Sequence, residues 1–268
     1  MSGILSILIG SAAGSAAGSA AAAASGTQKA IFGLGTTNSY WQGMTNLVSN
    51  LGVVSSDVAA VAIPRDSAAA AGYGTDKAIF GYGQTPFTIV TTINLVSNTG
   101  VVSTDTAGAG TVRYQLSAAG YGTDKAIFGY GFTFGGTILS LTNLVSNTGV
   151  VSADVTGVGT ARYYASAAKY GTDKALFGYG YDGFGYSSVT NLVSNLGVVS
   201  SNVTGVGTAR HALAAAGYGG DKGIFGYGYF MMELSLTNLV SNTGAVTADV
   251  TGVGTGRYKL VAAGYSLT

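Results

Sequence analysis

Lys125-Ala126-Ile127-Phe128-Gly129-Tyr130-Gly131 follows the tight sequence Gly122-Thr123-Asp124, and close copies of it begin at Lys29, Lys77, Lys174 and Lys222. Successive copies start 48 or 49 residues apart. A second landmark, Asn143-Leu144-Val145-Ser146-Asn147, has counterparts starting at Asn46, Asn94, Asn191 and Asn238. An arginine closes each unit, at Arg65, Arg113, Arg162, Arg210 and Arg257. Three landmarks keeping one period identify a five-fold repeat, and a repeat of this length is one supersecondary unit that buries its core against its neighbours.

The unit from Arg113 to Arg162 divides into four short pieces. Tyr114 to Tyr121 is small and apolar. Lys125 to Gly131 is aromatic. Leu139 to Asn147 and Val150 to about Thr156 are rich in Val, Leu and Thr. Gly122-Thr123-Asp124, Thr148-Gly149 and Gly157-Val158-Gly159 separate or end the pieces. Short β-branched and aromatic runs between glycine turns are strands, and no helical period runs through the repeats. Four antiparallel strands in 40–50 residues predict a propeller blade. The expected fold is therefore an all-β, five-bladed propeller. Its small first strands would suit a crowded axis, and its Ile, Phe, Val and Leu positions would suit the core between blades.

Expected boundaries are an N-terminal arm over 1–26, then repeats at about 27–64, 65–112, 113–161, 162–209 and 210–256, with a closing strand over 257–268. The first unit lacks an Arg-led first strand, whereas Tyr258 to Tyr265 has no hairpin partner after it. The C-terminal strand is thus expected to complete the first blade, with Ala20 to Ser25 as the alternative filler.

Composition narrows the function. Charged residues are only 9% of the chain and the formal net charge is +1, so no basic surface for nucleic acid is implied. A surface this poor in charge suits a chain covered by partners. There is no cysteine and only one histidine, His211, which leaves no credible transition-metal site or catalytic triad. Gly178-Tyr179-Gly180-Tyr181-Asp182-Gly183 matches a nucleotide-binding glycine pattern, but no helix follows to receive a phosphate. Ten of the 12 basic and eight of the 11 acidic residues recur with the period, which points to structural roles. The hairpin Asp76, Asp124, Asp173 and Asp221 are expected to shape turns. Asp57, Asp105, Asp154 and Asp249 are expected to pair with the repeat arginines rather than to bind calcium. No enzyme activity, cofactor or metal is expected.

The units differ most between their second and third pieces. Those stretches carry Tyr40, Trp41, Phe87, Phe132, Phe134, Tyr181, Phe184, Tyr186, Tyr229 and Phe230. In a propeller they would emerge on one face, as a variable aromatic contact surface on a constant scaffold. The arm contains Ile4, Leu5, Ile7, Leu8 and Ile9, a run too short to span a membrane. It is expected to dock into a neighbouring subunit, against the plainer expectation of a disordered tail.

The unit beginning Arg210 resembles a kelch repeat: Gly226-Tyr227-Gly228 stands at that family's glycine pair, and the Gly-Thr-Ala-Arg endings at Arg162 and Arg210 stand at its small-residue–Arg ending. The tryptophan of that family's blade is missing. The wording of the units also resembles uncharacterised repeat proteins of tailed bacteriophages. These resemblances imply a kelch-like propeller and a structural or adhesin-like virion component such as a tail fibre or capsid decoration. Partners would be other virion proteins, further copies of the chain or a host-surface glycan. The setting would be the virion or, failing that, the extracellular space or the cell surface. A lectin-like carbohydrate-binding propeller is the alternative reading.

Overall fold

The computed structural model describes residues 29–37 and 40–264. The arm, with Ile4, Leu5, Ile7, Leu8 and Ile9, and the last residues of the closing segment, with Tyr265, lie outside the described residues. Among those described, the chain is all-β and has no helix. It forms five antiparallel sheets in sequence order. The first has two strands, β1 (Ala30–Thr36) and β2 (Trp41–Val48). The second joins β3 (Ala69–Tyr73), β4 (Lys77–Gly81) and β5 (Ile93–Val96). The third joins β6 (Ser117–Tyr121), β7 (Lys125–Gly129) and β8 (Thr142–Val145). The fourth joins β9 (Ser166–Tyr170), β10 (Lys174–Tyr181) and β11 (Tyr186–Val193). The fifth joins β12 (Ala214–Tyr218), β13 (Lys222–Phe230) and β14 (Met232–Val240). A propeller fits this arrangement.

The fourth piece of each unit meets the third through two isolated bridges, Thr142↔Val155 and Val145↔Val151 in the third unit, rather than a continuous ladder. A side chain is the reason. Leu144 N–H donates to the Ser152 hydroxyl where a ladder would offer a carbonyl, and that hydroxyl donates onward to the Ala153 carbonyl.

Neighbouring sheets touch along their first strands, β3 to β6, β6 to β9 and β9 to β12. Alanine and glycine allow that approach: a Cβ on Gly120 would lie 3.2 Å from the Gly72 carbonyl oxygen. Farther out, the recurring Phe-Gly pair supplies both halves of a packing contact. Phe128 seats on Gly81, where a Cβ would come within 2.7 Å of the ring. Phe80 on Gly33, Phe177 on Gly129 and Phe225 on Gly178 repeat the contact. Each fully buried phenylalanine contributes roughly 2–3 kcal/mol of transfer free energy.

Four of the repeat arginines reach back over the unit before them. Arg113, Arg162, Arg210 and Arg257 lie over the rings of Tyr82, Tyr130, Tyr179 and Tyr227 at 3.9 to 4.4 Å. Their pairing with the fourth-piece aspartates is indirect. Arg113 Nη1 is 3.9 Å from Asp154, too long for a strong bond. Buried Asn143 stands between them: its Oδ1 accepts from Arg113 and its Nδ2 donates to Asp154. The Asp154 carboxylate then accepts from the backbone N–H and hydroxyl of Thr111 in the preceding unit. Asp105, Asn202 and Asp249 reach back in the same way to Ile63, Thr160 and Thr208. Burial holds the Arg65 guanidinium down at about 10, and the charge of Asp105 only partly offsets it.

The phenylalanine–glycine contacts and the reach of each fourth-piece Asp or Asn to the preceding unit occur at four junctions. Between the fifth unit and the first, counterparts of these two contacts are not made among the described residues, although Arg257 still lies over Tyr227. No phenylalanine reaches Gly226, and no other residue approaches the Cβ position of Gly52. Tyr218 is 39% exposed, whereas its equivalents Tyr73, Tyr121 and Tyr170 are buried. Residues 257–264 form no strand.

Candidate contact surface

Two residues after each repeat arginine, the chain adopts a left-handed conformation without glycine. Ser67, Gln115, Tyr164, Ala212 and Lys259 have φ between 51° and 56°. Such strain costs on the order of 1 kcal/mol per residue and persists only where surrounding bonds enforce it. Each N–H donates to the same position of the unit before it: Gln115 to Ser67, Tyr164 to Gln115, Ala212 to Tyr164 and Lys259 to Ala212, at 2.8 to 3.1 Å. This spine keeps the five units in one orientation. The residue before each spine position then bridges to the connection after the second strand, in Asp66↔Gln84, Tyr114↔Phe132, Tyr163↔Tyr181 and His211↔Tyr229. In the first unit, the half-buried Trp41 sits beside Asp66. The connections therefore leave from the same end. Adjacent ones touch: a Cβ on Gly183 would lie 2.7 Å from Ile138 Cδ1.

The ten aromatic residues singled out by sequence fall into two layers. Tyr40, Phe87, Phe134 and Phe184 stand at turn tips with exposures of 72, 93, 78 and 99%. Trp41, Phe132, Tyr181, Tyr186, Tyr229 and Phe230 are half-buried beneath them. Side chains that the sequence reading did not assign to this surface complete both layers. Tyr114, Tyr163, Tyr164, His211 and Tyr258 join the lower one, in an unbroken run of ring contacts from Tyr114 through Phe132, Tyr163, Tyr181, Tyr186, His211 and Tyr229 to Tyr258. Met231 and Met232, 74 and 63% exposed, take the tip position in the fifth unit. One signal could have found the lower-layer residues: the pair after each arginine varies between units as freely as the loops do.

Local bonds hold the tips. The Thr85 hydroxyl accepts from Phe87 and Thr88 N–H. The Asp182 carboxylate accepts from Phe184 and Gly185 N–H at 2.9 and 2.8 Å. Thr133 N–H donates to the Thr137 carbonyl around Phe134, and Thr37 N–H to that of Tyr40. Met231, at φ 57°, makes the turn between β13 and β14.

Polar groups lie among the lower rings. Gln115 Nε2 donates to the Tyr164 hydroxyl at 2.8 Å, and Lys259 Nζ lies 5.7 Å from the Tyr164 ring centre. Burial raises the Asp66 carboxyl above its ordinary range, while Trp41, Ser67 and the Lys259 charge pull it back. Neither Trp41 Nε1 nor Asp66 Oδ1 completes a hydrogen bond. Burial and the Lys259 charge hold His211 below its ordinary value, so its imidazole is neutral at pH 7. No cluster of three metal-ligating side chains occurs among the described residues. A rigid, mixed aromatic and polar surface of this kind suits contact with a partner. No protein-family model matches the chain, and no curated protein matches it.

Proposed function

We propose that this chain is a non-enzymatic, adhesin-like structural component, in the virion setting that its resemblance implies, which contacts its target through the end where the connections after each second strand emerge, called here the hairpin end. One observation carries the reading: five connections of unrelated sequence leave one end of a constant scaffold, and each presents a large exposed apolar side chain. Residues 1–26 would dock the chain into its assembly and leave that end free. Deleting 1–25 is expected to keep the thermal unfolding transition and abolish incorporation; normal incorporation would refute the docking role.

The scaffold in this reading is a five-bladed propeller with four strands per blade, and residues 257–268 add the first strand of blade one. A cavity of about 340 Å³ in the first two units supports that closure. Lys29, Ile31, Leu47, Val96 and Gly100 are among the residues lining it. At the next three junctions the residues matching Leu47 and Gly100 pack on a first-strand tyrosine: Leu95 and Gly149 on Tyr73, Leu144 and Gly197 on Tyr121, Leu192 and Gly244 on Tyr170. Tyr265 is the matching residue for the first junction.

Hydroxyl-radical footprinting of assemblies with and without their bound target tests the contact face. Protection should concentrate on Tyr40, Phe87, Phe134, Phe184 and Met231, while Leu196 and Val253, also exposed, keep their reactivity. Equal reactivity at the tips in both states would sink the reading. Strong multivalent binding on a glycan array, with the tips unprotected, would favour a lectin with pockets between blades.

A further inference from the structure

We infer that the hairpin end is built to enter the interfacial layer of a lipid bilayer, with an uncharged or zwitterionic headgroup surface as its partner; this rests on the contact face proposed above and names what it touches. The first observation is what the tips share. Their side chains are a tyrosine, three phenylalanines and a methionine pair, on turns of different sequence. Only apolarity and exposure are common to them. A protein pocket reads shape, whereas a fluid apolar medium reads hydrophobicity alone.

The second observation is the layering. Beneath the tips lies the belt of Trp41, Tyr163, Tyr181, Tyr186, Tyr229 and their neighbours. Tyrosine and tryptophan have apolar bodies and polar ends, and they settle where hydrocarbon gives way to headgroups. Apolar points above an amphipathic aromatic belt match that profile in depth. The tips are also isolated points among Gly, Ser and Thr rather than one continuous patch, unlike the core of a protein interface. Their turns are already held by Thr85, Asp182 and Thr133, so insertion orders little further chain.

Charge selects the lipid. The connections 36–43, 84–91, 132–139, 181–188 and 229–234 contain no Lys or Arg and include Asp182 and Glu233. The belt adds one cation, Lys259, set against Asp66. The end therefore carries no net positive charge, anionic headgroups gain no net attraction there, and association should depend little on salt.

The test uses the full chain with phosphatidylcholine vesicles in a flotation assay. Trp41 is the only tryptophan and lies in the belt, so its emission reports insertion directly. We expect the chain to float with vesicles equally at low and high salt, with a blue shift of Trp41 emission. A triple variant, F87S/F134S/F184S, should lose at least tenfold in partitioning, while V150S, at an exposed valine away from the tips, should lose none. Residues 1–26 are present in every variant, so binding carried by the arm would survive the triple substitution and overturn the proposal. Absence of flotation, or binding only to anionic vesicles that salt abolishes, would also overturn it. A parallel arm measures attachment of the same variants to the native target. Attachment lost with the tips but without vesicle binding would keep the contact face and reject lipid as its partner. Attachment and flotation both unchanged would reject the contact face and the lipid together.

Discussion

The junctions between units and the hairpin end obey different rules of repetition. At the junctions, identity is kept almost to the atom: a phenylalanine on a glycine, an arginine over a tyrosine, and an asparagine between arginine and carboxylate recur with near-constant distances. At the hairpin end, only polarity is kept. Close packing explains the first rule, since an interior notices a single methylene. The second follows from solvent exposure, where shape is unconstrained until a partner imposes it. The contrast separates what the scaffold needs from what its target needs, although both are written in the same 48-residue units.

The sharpest way to break this comparison is at a packing contact. Phe128→Ala should destabilise the chain by about 3–5 kcal/mol in urea denaturation, because the ring is fully buried and leaves a cavity over Gly81. A loss below about 1 kcal/mol would mean that the junctions are loosely packed. Asn143→Ala comes next. It removes the acceptor of a buried guanidinium whose Nε already has no partner, and should cost roughly 2–3 kcal/mol by the same assay. Full stability in this variant would show that water replaces the amide without penalty.

Asp154→Asn should have a smaller effect, on the order of 1 kcal/mol at pH 7, because Asn202 already fills the equivalent place and keeps the bond to Thr160. Its pH dependence has a definite sign. Burial pushes the Asp154 carboxyl up, but bonds from Thr111 and Asn143 and the charge of Arg113 outweigh it, so the folded value lies below the unfolded one. Asp249 behaves alike. This stabilisation is present above the unfolded carboxyl value of about 4 and is lost as pH falls through the lowered folded value. Thermal melts of the parent chain should therefore drop below pH 4, and Asp154→Asn should flatten that drop. An unchanged acid slope would contradict the assignment. At the small end, Phe184→Ser should shift stability by no more than about 0.5 kcal/mol, since the ring is 99% exposed. A larger loss would show that the tips belong to the scaffold after all.

Much of this was legible in the sequence. The period, the strand character of the second and third pieces, and the small first strand follow from residue type, and they reappear in β3 to β14. The turn at Gly122-Thr123 was legible too, and both residues take positive φ. The fourth piece was less so, because Ser152 spends its hydroxyl where Val and Thr propensity predicts a ladder. The arginine–aspartate pairing was read without its intermediary. Asn143 belongs to a motif that looked like strand filler, and only three-dimensional packing puts its amide between the two charges. At the candidate surface, the divergence between units marked the stretches that carry the exposed rings of Phe87 and Phe184. His211 stood out only as the single histidine and Tyr164 not at all, because the strained backbone of Tyr164 and Ala212, and the location it gives these side chains, arise from the spine bonds between units.

The placement of Phe128 and Gly129 side by side in one strand has a consequence for how such a chain can grow. The phenylalanine belongs to the contact with the preceding unit, and the glycine to the contact with the following one. Any tandem duplication of a single unit thus carries a plug and a socket together, already matched. Copies can be gained or lost without a new surface having to evolve, and only the angle turned at each step restrains their number. The hairpin tips travel with each copy and are free to diverge afterwards.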